Sequence, residues 1–197
     1  IGIRASQTAE LVFEDCRIPL DNLLGGMDKL ERKLERARSG EKTGRASNAL
    51  ATFELTRPMV GASALGIAQA AYEWTVEYFL AGGDVADPFE LLLDESSTAG
   101  RPPIERQHVQ QVLADVATEI EASRLLVHRA SWMGRNGIPL SGGQGSMSKL
   151  KAGDVAMWAT TRLMDLVGPI AAETPLEKWF RDAKIYQLFE GTAQVQR

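Results

Sequence analysis

The chain has 197 residues, of which 44% are hydrophobic and 24% charged, with a net charge of −4 and a single cysteine. This length supports one or two domains with a sizeable core, and the acidic balance argues against wholesale binding to nucleic acid or to an anionic membrane. The lone Cys16 excludes an intramolecular disulfide and fits a reducing compartment; no apolar run approaches a membrane span and no signal peptide is visible.

The opening carries no initiator methionine and reads as though it starts within a domain. In "ELVFEDCRIP" the pattern predicts a short strand, Leu11 to Phe13, running into a proline-terminated turn. A lone strand needs partners for its backbone groups, so its sheet is expected elsewhere. Residues 27–48 hold seven basic and four acidic side chains, a local +3. "KLERKLERAR" reads as a short solvated helix, with Asp28 and Arg32 at the supportive i,i+4 spacing; docking of an anionic group such as a nucleotide phosphate is the sharper alternative.

A long helical segment is predicted from Ala49 to Leu80, interrupted at Pro58. Its small residues, from Gly61 to Ala71, lie all around the helix and allow close packing on several sides. A long loop follows, containing "AGGDVADPF" and "DESSTAGRPP". Val109, Leu113, Val116, Ile120 and Val127 then recur at helical spacing in a second helix from Ile104 to about Met133. "GRNGIPLSGGQGS" breaks it, and Ser146 or Ser148 is expected to cap a third helix ending at "VGP" near Val167. The fourth runs from Pro175 to Phe189, with proline in its first turn and Gly191 as its stop. Four such helices predict an antiparallel bundle.

His108 and His128 show no metal-ligand spacing, and "SGGQGSMSK" lacks the glycine–lysine spacing of a phosphate loop. Cys16 has no histidine close in sequence and reads as an inert thiol. The closing "YQLFEGTAQVQR" is different, because Glu190 is the only acid within seven residues on either side. Gly191 suits a left-handed helix terminator and Thr192 an N-cap, so a plain helix–turn–helix corner with an exposed Glu190 is one reading. The other is a general base: Leu188 and Phe189 precede the acid, and apolar neighbours disfavour the ionised form of a carboxylic acid. Gly191 would then let a flat ligand approach the backbone. Local chemistry leaves both open.

The segment "RDAKIYQLFEGTAQVQR", Arg181 to Arg197, resembles the pattern R-D-A-K-I-x-Q-I-Y-E-G-T-x-x-I-Q-R of the flavin-dependent acyl-CoA dehydrogenases. "TRPMVGASALGIAQAA", "QHVQQVLADVATEIEASRLL", "SKLKAGDVA" and "LVFEDCRIPLDNLLG" are similar in the same order, covering nearly the whole chain. The resemblance implies a mainly α fold, an up-and-down four-helix bundle like that family's C-terminal domain with a short N-terminal β segment. It implies residues 1–25 as the end of a β-domain, 26–48 as a charged insertion and 49–197 as the bundle domain. The implied reaction is α,β-dehydrogenation of an acyl-CoA to a trans-2-enoyl-CoA with FAD as hydride acceptor. An electron-transfer flavoprotein is the implied acceptor of the electrons, and a homodimer or homotetramer the implied assembly. The implied location is the cytoplasm, or the mitochondrial matrix in a eukaryote.

By position, Glu190 matches the family's catalytic base, its own N–H serving as one donor to the thioester carbonyl. Gly191, Thr192 and Gln194 match positions that contact FAD, Gly191 also facing substrate. Thr56 and Arg57 stand in the T-R-P motif lining the acyl-CoA site, Glu54 where the family's segment faces the CoA moiety, and Gln107 at the glutamine that reaches the FAD of a neighbouring subunit. Three departures stand out. The family's R-K-x-F-G motif is replaced by an insertion with no arginine before Arg101, which takes its place for the phosphates. Its Q-x-x-G-G reads "DLVGP", with Asp165 and Gly168 at the cofactor-facing positions. The charged insertion from Lys29 to Arg45 is the third. Together they define an alternative: a non-catalytic or partly degenerate subunit of a hetero-oligomer.

Overall fold

The computed structural model describes residues 1–40, 45–85 and 102–197, with the backbone alone described for 45–51. The chain is mainly helical: α1 (Gly26–Arg38), α2 (Arg45–Leu80), α3 (Gln107–Arg135), α4 (Gln144–Val167), α5 (Pro175–Ile185) and α6 (Ala193–Gln196). Among the described residues, 3-10 turns precede α1, α3 and α5, at Leu20–Asn22, Pro103–Glu105 and Pro169–Glu173. The contacts divide the chain into two units, Ala5–Ala51 and a larger one formed by Ile1–Arg4 with Thr52–Arg197.

In the smaller unit the strand expected at Leu11–Phe13 is not formed. Residues 7–13 carry no regular structure, and no strand exists among the described residues to pair with them. Leu11, Val12 and Phe13 are accordingly exposed. α1 matches the solvated helix expected from its charge pattern, with no buried residue, Asp28 in its first turn and Arg36 and Arg38 in its last, each where the helix dipole favours it. Arg32 donates to the backbone carbonyl of Asp28 at 3.1 Å, not to its carboxylate.

The larger unit is organised around one core. Ala64, Leu65, Ala68, Ala71 and Phe79 of α2 meet Val109, Leu113, Val116, Ile120 and Val127 of α3. Ala152, Val155, Ala156, Ala159, Leu163, Leu166 and Val167 of α4, with Leu176 and Ala183 of α5, complete it. Small side chains set the helix separations. A Cβ on Gly61 of α2 would stand 3.1 Å from Val127 Cγ2 and 3.3 Å from the Ser148 carbonyl, so α2 presses on α3 and α4 at once. The small residues of α2 do not all pack, however: Ala62, Ser63 and Gly66 face solvent, because the core occupies one side of the helix only.

α2 passes through Pro58 without interruption. Proline has no N–H for the carbonyl four residues earlier, that of Glu54. Gly145, at the start of α4, packs against this carbonyl so closely that a Cβ would have no room. The predicted break is thus absorbed where two helices touch. Neither Ser146 nor Ser148 caps α4; Gly143 holds the N-cap position at φ 74°, and Ser148 Oγ donates to the Gly145 carbonyl at 2.8 Å. α3 starts at Gln107, after the Pro103–Glu105 turn, and α5 ends at Ile185, four residues before the expected Phe189.

Candidate functional site

The candidate site lies in the larger unit, where the start of α4, the T-R-P segment of α2 and the turn after α5 converge. α5 opens on Thr174, whose hydroxyl accepts from Leu176 N, with Pro175 in the first turn. Its last turn tightens as Leu188 N and Phe189 N both donate to Ile185 O, at 2.8 and 3.1 Å. Two consecutive left-handed residues then reverse the chain, Glu190 at φ 56° and Gly191 at φ 92°. Ala193 N closes the turn on Gln187 O at 2.9 Å, and Thr192 Oγ1 accepts from Val195 N at 3.3 Å as the N-cap of α6. The sequence points to glycine in the left-handed region; the glutamate beside it is the surprise. A side chain there costs roughly 1–2 kcal/mol and persists only where its surroundings hold it.

Those surroundings are polar and buried. Lys149, 1% exposed, donates from Nζ to the Gly191 carbonyl at 2.6 Å. Gln196 Nε2 donates to the Glu190 and Gly191 carbonyls at 3.0 and 3.2 Å. Gly153 of α4 brings the helix close beneath the turn, since a Cβ there would lie 2.9 Å from the Tyr186 carbonyl. A Cβ on Gly191 would meet Gln196 Nε2 at 2.4 Å, on a backbone whose φ of 92° already disfavours a side chain. Backbone conformation and the Gln196 clamp therefore favour glycine here before any ligand is considered.

Thr56 Oγ1 stands 3.4 Å from Glu190 Oε2 and is the only hydroxyl on that carboxylate among the described residues. Next to it Arg57, 6% exposed, pairs with Glu54 through Nη1 and donates to Ser146 Oγ at 2.6 Å. Ser146 donates in turn to Glu54 Oε1 at 2.7 Å from its hydroxyl and to Oε2 at 3.3 Å from its backbone N–H. Both oxygens of Glu54 are thus engaged within the chain. Burial pushes Lys149 below its ordinary pKa and Arg57 adds to the effect, while Glu190 and Asp154 oppose it. Tyr186 is raised, by burial first and then by Asp182, against a hydrogen bond with Ser63. Leu188 and Phe189 are 41% and 40% exposed, so they do not wall off Glu190 within this chain.

Of the residues singled out in the sequence, Glu54, Thr56, Arg57, Glu190, Gly191 and Thr192 are brought together. Gln194 is exposed on α6. Gln107 opens α3 and is exposed. Asp165 is exposed, and Gly168, at φ 79°, ends α4 by donating to Met164 O at 2.8 Å. Gly168 lies nineteen positions beyond Lys149, about 28 Å along the helix axis, and so belongs to a different place from Glu190. Arg101 is outside the described residues. Sequence reading missed Lys149, Ser146 and Gln196 as parts of the site. Lys149 had a usable signal: it lies three, four and seven positions before Ala152, Gly153 and Ala156, on the buried stripe of α4.

The backbone N–H groups of Glu190, Gly191 and Thr192 find no acceptor among the described residues. Two buried side-chain atoms beside them, Arg57 Nε and Gln196 Oε1, are also without a partner. Three amides and Arg57 Nε are donors and Gln196 Oε1 is an acceptor, a mainly donating set that fits a ligand rich in acceptors, as both a flavin and a thioester are.

Residues 91–197 match the family described as acyl-CoA dehydrogenase, C-terminal domain. A probable acyl-CoA dehydrogenase of Mycobacterium tuberculosis, FadE25, is 38% identical over 199 residues, covering 100% of this chain and 44% of that protein. The mitochondrial short-chain specific acyl-CoA dehydrogenase of Mus musculus is 34% identical over 201 residues, covering 100% of this chain and 41% of that protein. The solved butyryl-CoA dehydrogenase of Megasphaera elsdenii superposes with a TM-score of 0.62 at 35% identity, over 74% of this chain and 34% of the other. The chain therefore belongs to the acyl-CoA dehydrogenase family, and it spans less than half the length of these curated relatives. Among the described residues no helix is long and apolar enough to cross a membrane.

Proposed function

We propose that this chain supplies the base of an FAD-dependent acyl-CoA dehydrogenase. Glu190 takes the α-proton of an acyl-CoA thioester while the β-hydrogen departs as hydride, leaving a trans-2-enoyl-CoA. The observation that carries this reading is the conformation of Glu190, a half-buried acid held at φ 56° beside three amides with no acceptor among the described residues, in a member of this family. FAD, when bound, supplies the hydride acceptor. The carboxylate of Glu190 holds the abstracted proton, and Thr56 steadies one of its oxygens. The Glu190 N–H is a donor to the thioester oxygen as negative charge develops there, the stage at which a fixed dipole is worth most. The amides of Gly191 and Thr192, with Gln194, face the cofactor; Thr56, Arg57 and Glu54 build the wall on the substrate side.

In this reading residues 1–25 end a β-domain, 26–48 form an insertion and 49–197 a four-helix bundle. Arg101, Gln107, Asp165 and Gly168 serve the FAD of a neighbouring subunit in a homodimer or homotetramer, and electrons pass on to an electron-transfer flavoprotein. The location is the cytoplasm, or the mitochondrial matrix in a eukaryote. A second reading, a non-catalytic partner subunit, draws support from Asp165 and Pro169 in place of the family's glutamine and glycine. The visible spectrum of the purified protein after addition of FAD separates the two, because failure to retain flavin sinks the first. Where flavin is retained, Glu190→Gln is expected to abolish its bleaching by acyl-CoA; persistent bleaching means another group is the base.

A further inference from the structure

We infer that Lys149 is a positioning residue for the Glu190 turn, an inference that rests on the reading of Glu190 as the base. Lys149 comes from the middle of the first turns of α4, is 1% exposed, and has no carboxylate in ion-pair contact among the described residues. Its one hydrogen bond, at 2.6 Å, goes to a neutral backbone carbonyl, that of Gly191. Burying an ammonium group is costly unless it is well partnered; Arg57 nearby adds to the cost, and Glu190 and Asp154 offset part of it without pairing with the lysine. A methionine or leucine in the same space would avoid that cost. The charge therefore marks a place where the fold gives up stability to fix one carbonyl.

What the carbonyl fixes follows from the planar trans peptide, in which C=O and N–H point in opposite directions. Gln196 holds the carbonyl of Glu190 inward, so the N–H of Gly191 is turned outward. Lys149 and Gln196 together hold the carbonyl of Gly191 inward, so the N–H of Thr192 is turned outward as well. Those two N–H groups, with that of Glu190, are the ones that have no acceptor among the described residues. The same two clamps bracket the φ 56° and φ 92° pair from its carbonyl side and thereby set the direction in which the Glu190 side chain leaves the backbone. Lys149, 1% exposed, offers almost no surface to a ligand and acts through the turn. Thr56 approaches the carboxylate from α2, independently of this clamp.

The test uses the purified flavoprotein that carries this chain, comparing Lys149→Met with Glu190→Gln and with Lys151→Met, a control whose lysine pairs with Glu119 instead. Lys149→Met is expected to slow flavin bleaching at saturating acyl-CoA by about 10- to 100-fold, the loss that follows from a misplaced catalytic group. Half-saturation should shift by less than about 3-fold, with FAD content retained and Lys151→Met unchanged. Without substrate, amide exchange in the peptide spanning residues 188–195 should speed up by about tenfold. If Lys149→Met does not fold, Gln196→Met removes the other clamp on the Gly191 carbonyl, together with the one on Glu190, and is expected to give the same split between rate and half-saturation. Unchanged bleaching and exchange, or a raised half-saturation with the rate intact, overturns the inference. If Glu190→Gln itself still bleaches, the assignment of the base fails, and the exchange result then stands alone for or against the clamp.

Discussion

The ammonium of Lys149 lies 2.6 Å from the carbonyl of Gly191, one residue beyond a glutamate held at φ 56°. A buried cation on α4 is thus joined to the turn after α5 through a neutral group. Burial, chiefly, and Arg57 keep its folded pKa below the ordinary lysine value. The unfolded chain then binds more protons than the folded one at pH values between those two pKa values. Stability should therefore rise with pH across that alkaline window, through which the folded lysine has already lost its proton. Lys149→Met should remove this rise. Denaturant midpoints at matched pH values, wild type minus variant, measure it, and parallel curves would refute it.

The Glu54–Arg57–Ser146 cluster is expected to behave as one unit. Arg57 is 6% exposed, and its pairing satisfies a carboxylate whose side chain is 20% exposed. Arg57→Met strands Glu54 with Ser146 alone and should cost about 3 kcal/mol, whereas Glu54→Gln keeps a hydrogen-bonding group and should cost about half as much. The double variant should lose less than the two single losses added, by at least about 1 kcal/mol. Additive losses in equilibrium unfolding would mean the cluster is not coupled.

Much of this arrangement was legible in the sequence, and the limits have physical causes. The 3- to 4-residue apolar spacing of α3 maps onto its buried face because that face packs against two neighbours. The Thr192 cap and the positive φ of Gly191 follow from local chemistry and are found as expected. Pro58 misled because the rule about proline concerns an isolated helix, and here Gly145 packs against the Glu54 carbonyl that proline leaves without its helical donor. Leu11–Phe13 forms no strand because no strand among the described residues pairs with it, and strand propensity is worth little without a partner. Lys149 and Gln196 escaped notice because their partners are backbone carbonyls some 42 and 5 to 6 residues away, and a carbonyl has no signature in the sequence.

Two glycines in helices should respond to alanine in opposite ways. Gly66 of α2 is exposed and a Cβ there would meet nothing within 4 Å. Gly66→Ala should therefore stabilise by about 0.5–1 kcal/mol, because the unfolded chain loses freedom and the folded one loses nothing. Gly153 of α4 faces the Tyr186 carbonyl and carbon at 2.9 and 3.3 Å from an added Cβ, and backbone cannot swing aside as a side chain can. Gly153→Ala should cost about 1–3 kcal/mol and displace the turn bearing Glu190. Thermal unfolding ranks the two, and equal shifts of Tm would contradict the packing described between α4 and that turn.

Asp182 joins the N-terminal residues to α5 and should govern part of the acid limb of stability. Asp182 is 8% exposed, and its carboxylate accepts from Ile3 N at 2.6 Å and pairs with Lys178 at 2.5 Å. Burial pushes its pKa up, but Lys178 and the Ile3 amide outweigh burial and hold it below the ordinary value. A folded pKa below the unfolded one gives stability that is present above the unfolded pKa and drains away as pH falls through the folded one. The window thus begins at about pH 4 and extends downward. Lys178 is 67% exposed, which weakens its share of the effect. Asp182→Asn keeps the shape and an acceptor for Ile3, so at neutral pH it should cost only about 1–2 kcal/mol. Between about pH 4 and pH 2 the wild type should lose this advantage and the two unfolding curves should converge. A constant gap down to pH 2 would show that Asp182 stabilises through its shape and not its charge.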